Sequence, residues 1–257
     1  MQTLHKAGLT LALLTALGLG GRAQAQTFQI AANPNPSLAA NPAQGYFYAD
    51  GSNQPINPSY FIGQVAINGT IPSNYPTHNY FTFDLSSLNL AGKTIMSATL
   101  NVPSYIGHSD SHQTSFQYTV YDVNTSPTAL NAAQPAGNLG ICNDLGSGNS
   151  YGAFTVPVNA SGVLNFSLSG AALTDIKNSA GGDFSTGGVL SLTSGAALPA
   201  GSSEYLFAGS DTQNQGRPTP TLVAAPVPKV STNVSLGLLL ALGGGGLAVA
   251  RRRRVRA

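Results

Sequence analysis

The stretch NYFTFDLSSLNLAGKTIMSATLNV, residues 79–102, carries the reading of the fold. Phe81, Phe83 and Leu85 alternate with Tyr80, Thr82 and Asp84, and a period of two puts an aromatic set on one face of an extended strand and a polar set on the other. Ala91-Gly92-Lys93 then breaks the pattern as a turn, and Ile95, Ala98, Leu100 and Val102 bring in a second strand. Phe81, Phe83, Leu85, Ile95, Ala98, Leu100 and Val102 are therefore the expected core.

Outward from this pair, β-type runs separated by turn residues recur in both directions. On the N-terminal side lie Gly45 to Ala49 and Tyr60 to Ile67, and after the pair comes Phe116 to Val123. The later half holds Tyr151 to Val158, Val163 to Leu168, Gly188 to Thr193, Tyr205 to Ala208 and Thr219 to Ala224. About ten short strands of this kind predict an all-β chain, a single antiparallel β-sandwich of jelly-roll type. One segment departs from the pattern. Ala171, Ala172, Leu173 and Ile176 have helical spacing, so Gly170 to Ser179 is expected to be one short surface helix with Asp175 and Lys177 outward. A Pro/Asn-rich lead, residues 26–44, precedes the sandwich at 45–224, and its prolines predict an extended arm over Ala31 to Pro42.

Both ends of the chain read as addresses. Lys6, an apolar run from Leu9 to Gly20 and the small-x-small site Ala23-Gln24-Ala25 describe a signal peptide, residues 1–25, cleaved before Gln26. At the other end a linker, residues 225–233, carries Pro226-Val227-Pro228 and leads into an apolar run from Val234 to Ala250. A transmembrane helix through that run would be about 26 Å long, close to the ~30 Å hydrocarbon core of a bilayer. The tail, residues 251–257, holds Arg251, Arg252, Arg253 and Arg254, a cluster that stays on the cytoplasmic side and leaves the body outside.

Net charge is +2 for the whole chain, but most of the basic residues belong to these ends. Between Gln26 and Val227 only Lys93, Lys177 and Arg217 stand against all nine acids, a net charge of −6. Such a body lacks the basic patch that nucleic acid requires. The single cysteine, Cys142, excludes an internal disulfide, so the fold rests on packing, with Cys142 expected as a small buried residue.

Residues that could carry chemistry are few. Glu204 is the only glutamate and the aspartates are scattered, which argues against the paired carboxylates of a glycosidase. No nucleophile elbow, phosphate loop or zinc-protease helix motif is present, so the chain is not expected to be an enzyme. His108, Asp110 and His112 stand at every second position and form the candidate metal set, against the plainer reading of a solvated loop. Asp50-Gly51-Ser52-Asn53 is an oxygen-rich turn of the sort that can take structural Ca2+, though an Asp-Gly turn needs no ion. No other cofactor is implied. Among Tyr46, Tyr48, Tyr60, Tyr75, Tyr80 and Tyr105, the tyrosines near loops, Tyr80 and Tyr105, are the candidates for stacking on a sugar ring.

Two resemblances add to this reading. The order Pro226-Val227-Pro228, apolar helix and arginine cluster resembles the PEP-CTERM sorting signal of Gram-negative bacteria, with valine at 227 where that family has glutamate; the same parts also describe a plain C-terminal anchor. The resemblance implies an exosortase-like processing enzyme, an inner-membrane intermediate and delivery to the cell surface or extracellular matrix, where exopolysaccharide is a partner. The body, in Phe83-Asp84-Leu85-Ser86, Ile95 with Ala98 and Leu100, Ser203-Glu204 and Pro218 to Val223, resembles the DNRLRE-type and carbohydrate-binding-module-like jelly rolls of secreted bacterial proteins. Together the two resemblances imply a non-catalytic, exported structural or adhesive protein; the alternative is a glycan-binding module.

Overall fold

The computed structural model describes residues 24–30, 44–53, 59–64, 76–193, 202–208 and 218–227. Residues 25–225 form one compact unit; the remaining unit, residues 1–24 with 226–257, lies almost wholly outside the described residues. The signal peptide expected from sequence, all but Ala25, and the expected transmembrane helix and arginine tail fall in that second unit. Among the described residues no helix is long and apolar enough to cross a membrane.

The chain is an antiparallel β-sandwich. Its strands are β1 (Gln26–Gln29), β2 (Gln44–Tyr48), β3 (Ile62–Gln64), β4 (Thr77–Asp84), β5 (Lys93–Ser104), β6 (Ile106–Ser109), β7 (Ser115–Asp122), β8 (Ser150–Pro157), β9 (Gly162–Ser167), β10 (Asp183–Leu192), β11 (Glu204–Ala208) and β12 (Thr219–Pro226). Among the described residues three helices interrupt them: α1 (Pro127–Leu130), α2 (Leu139–Asp144) and α3 (Gly170–Asn178). One sheet has the order β1-β12-β5-β9; the other runs β6-β11-β3-β4-β10-β7-β8, with β2 also paired to β4. Strand β5 ends at Ser104 and β6 begins at Ile106 in the opposite sheet, so the chain turns a corner of the sandwich at Tyr105.

The inner faces meet as the alternation requires. Phe81, Phe83, Leu85, Ile95, Ala98, Leu100 and Val102 are all buried in one cluster that also takes Phe116, Tyr118, Val120, Phe166, Phe184 and Leu222. With neither tryptophan nor a disulfide, the large side chains here are phenylalanines and tyrosines, and each buried tyrosine hydroxyl has an acceptor. Tyr60 donates to Pro103 O at 2.7 Å, Tyr118 to Asn79 Oδ1 at 3.2 Å and Tyr151 to Asp175 Oδ2 at 2.9 Å. These bonds remove the cost of leaving a hydroxyl unpaired in an apolar core.

A second, smaller core lies on the opposite face of the eight-stranded sheet. Phe47 of β2 and Tyr80 of β4 are covered there by Leu130 of α1, by Ile141 and Cys142 of α2 and by Leu145. Ser126 caps α1, its side chain accepting from Ala129 N, and Pro127 supplies the first turn with its φ already set. The close approach of the α2 segment depends on Gly187, because a Cβ there would meet the Leu145 carbonyl oxygen and sit 2.7 Å from Leu145 Cα.

Several expectations change. Strand β10 begins at Asp183 rather than Gly188: its register, Asp183↔Asp84 to Gly188↔Asn79, runs through both glycines, which stand where neighbouring atoms leave no room for a side chain. Gln26–Gln29, expected within the extended lead, is an edge strand paired with β12, and Ile106–Ser109, expected as loop, is paired with β11. Both are four-residue strands made by their partners, which gives them no periodicity of their own. Ala31 to Pro42 lies outside the described residues. Helix α3 occupies the expected place, but α1 and α2 were not anticipated. Asp175 is not simply outward; it is half-buried and accepts the Tyr151 hydroxyl.

Candidate functional site

The structure disperses most of the residues singled out from sequence. Tyr80 is 2% exposed and donates to Asn131 Oδ1 at 3.2 Å, so it is no sugar platform: the α1–α2 segment covers the face on which it stands. Tyr46 and Tyr60 are likewise buried, and Tyr75 lies outside the described residues. Tyr48 is half-buried with its ring edge-on to Tyr46, and Tyr105 is 57% exposed at the corner between β5 and β6.

His108, Asp110 and His112 do not assemble as a ligand set. His108 Nε2 donates to Asp110 Oδ1 at 2.9 Å while its ring stacks on Tyr205, centroids 5.6 Å apart. Asp110 Oδ2 accepts from Ser203 N at 2.7 Å, and that bond, with the His108 contact second, holds its carboxyl below the usual range. His112 takes a left-handed backbone conformation, φ 60°, in the turn that follows. Among the described residues no three histidine, cysteine or acidic side chains come together as a metal would require. The Asp50 turn is closed on itself: Asp50 Oδ1 accepts from Ser52 N at 2.9 Å and Ser52 Oγ at 2.6 Å. Of the sorting residues, Pro226 ends β12 and Val227 is exposed, whereas Pro228, Ala23 and Arg251 to Arg254 lie outside the described residues. Ala25, the last residue of the expected signal peptide, is exposed.

Folding brings a histidine to the lone cysteine, a pairing invisible across 64 residues of sequence. Cys142 Sγ is 3.5 Å from His78 Nδ1, yet the same nitrogen lies 2.6 Å from Cys142 O. A carbonyl oxygen only accepts, so Nδ1 must carry the proton and cannot serve as a base for the thiol. Burial pushes the thiol up to about 11 and lowers the His78 pKa, which favours the uncharged form of both. The pair is a packed, neutral contact rather than a nucleophile.

A cavity of about 290 Å³ opens where one end of the sandwich meets α3. Residues 122–127, following β7, form one wall; Asp175, Asn178 and Ser179 of the α3 end form another; Tyr151 and residues 183–185 complete it. Three carboxylates share it. Asp122 is held by Asn149 N at 2.7 Å and Asp175 by the Tyr151 hydroxyl. Asp183 stands directly opposite Asp84 in the β10–β4 pairing, and partial burial, then the Asp84 charge, raises its pKa. Sequence reasoning passed over this group, since Asp122, Tyr151, Asp175 and Asp183 share no motif and meet only through the β7–β10 and β7–β8 pairings and the packing of α3. No protein-family model matches the chain, and a search of curated proteins gives no significant match.

Proposed function

We propose that the chain is a non-catalytic, exported β-sandwich protein, carried to the cell surface or extracellular matrix by a PEP-CTERM-like tail that an exosortase-like enzyme processes, with a structural or adhesive role there. The observation that carries this reading is the coincidence of the compact unit, residues 25–225, with the segment between the two addresses. Strand β1 starts at Gln26, the first residue after the expected cleavage site, and pairs it with Ala224, two residues before Pro226. A domain bounded by a leader and a sorting motif is expected to end where they begin. The uses of the acids agree with a non-catalytic role: Asp50 and Asp84 close turns, Asp122 and Asp144 tie down loops, and Asp175 anchors a tyrosine.

Mass spectrometry of the protein isolated from its own cells tests the reading at both ends. An N-terminus at Gln26 and a C-terminus before Val234 are expected. An intact arginine block with the N-terminus at Gln26 would replace processing with a plain anchor. Recovery of the chain from the cytoplasm with Met1 and Ala257 attached would refute export altogether.

A further inference from the structure

We propose that Glu204 anchors a site for a hard cation, of the kind calcium occupies, at the corner where β3, β11 and β6 meet. Glu204 is 1% exposed, and its Oε1 accepts from Ser111 N at 2.7 Å. The carboxylate therefore lies against the turn that carries Asp110 and Ser111. Its other oxygen, Oε2, is buried without a hydrogen-bond partner, and so is the hydroxyl oxygen of Ser111. A buried carboxylate is strongly disfavoured unless donors or positive charge compensate it. Neither described lysine does so. Lys93 donates to Asn89 O, Lys177 stands on α3, and the one ion-pair contact among the described residues joins His108 to Asp110.

The surrounding atoms indicate which cation would fit. Gln64, 3% exposed, is the register partner of Glu204 across β3 and β11, so its amide stands on the same side of the sheet. A carboxylate oxygen, a hydroxyl and an amide oxygen make an all-oxygen set with room in its coordination for water, which is the preference of Ca2+. Zinc would call on the imidazoles, but His108 is engaged with Asp110 and Tyr205. A single carboxylate gives low affinity, roughly the 10⁻⁴–10⁻³ M of extracellular calcium modules. Occupancy would fasten the Asp110–Ser111 turn to β11, which the backbone bond from Asp110 N to Ser203 O already begins.

The full chain in detergent, melted with and without ~10 mM CaCl2 at matched ionic strength, should rise in Tm by about 3–10 °C. Glu204→Gln should lose that rise and Asp50→Asn, at the other calcium candidate, should keep it. Tb3+, read through tyrosine-sensitised emission and displaced by Ca2+, should bind one site in the native protein and several-fold more weakly in Ser111→Ala, a variant that keeps the buried carboxylate if Glu204→Gln does not fold. Absence of a rise in the native chain, an equal rise in Glu204→Gln, its loss in Asp50→Asn, or unchanged Tb3+ affinity in Ser111→Ala would overturn the site. These titrations do not depend on where the protein is delivered, so their failure would leave the export reading standing.

Discussion

Replacing Gly187 with alanine tests how the second core is held. The added Cβ would stand 2.7 Å from Leu145 Cα and 2.8 Å from Leu145 C, with the Leu145 carbonyl oxygen nearer still, and all three atoms are backbone that no rotamer change can move. The α2 segment has to lift off the sheet, loosening Leu145, Ile141 and Cys142 against Tyr80 and Phe47. Overpacking of this kind costs about 1–3 kcal/mol. Gly170→Ala is the control, because nothing lies within 4 Å of its Cβ and the residue opens α3. Alanine there should be neutral or stabilising by about 0.5 kcal/mol, since it restricts the unfolded chain and favours the helix. Urea unfolding of residues 26–227, followed by circular dichroism, should give a lower midpoint for Gly187→Ala at nearly constant slope. Thiol titration should show Cys142 reacting faster in the same variant, because lifting α2 uncovers it. Equal midpoints for the two alanine variants would refute the claim that a glycine is required for α2 to dock.

Asn101→Ala should cost about 1–2 kcal/mol and speed hydrogen exchange in β12 and β1, because Asn101 Nδ2 donates to Thr219 O and Thr221 Oγ1, both at 2.8 Å; unchanged exchange there would remove Asn101 as the tie. With the thiol pushed up to about 11, native Cys142 should alkylate at pH 8 roughly a hundredfold more slowly than an unburied thiol, and at the ordinary rate in denaturant. Asp183→Asn should be the more stable protein at pH 7. The folded-state pKa of Asp183 is raised, so its ionised form weakens the fold, and the variant's advantage should vanish as pH falls through that pKa; an advantage that persists in acid would show that charge is not its origin.

The sequence was most informative where period and face coincide. The seven core positions read from residues 79–102 are all buried. Alternation leaves β4 one way to bury Phe81, Phe83 and Leu85, and Ala98, Leu100 and Val102 repeat it in β5, with only Ile95 off the period across the exposed Met96 and Ser97. The helix after β9 was legible for the same reason in the 3.6-residue period, with Ala172 and Ile176 inward. The cavity was not legible. Asp122 and Asp183 lie 61 positions apart and become neighbours only because β7 and β10 pair, and strand order is decided by contacts that local pattern does not encode.

Tyr80 shows most clearly where sequence stops and tertiary structure begins. Alternation alone placed it, with Thr82 and Asp84, on the face away from the main core, and that placement is right. Whether that face meets water is a different matter, settled for Tyr80 by α1 and α2, which return some 50 residues later and bury it, while Asp84 keeps its solvent at the strand end. A residue's side of a strand follows from local geometry. What covers that side depends on where distant segments find enough apolar surface to offset their own ordering, and only the folded chain decides this.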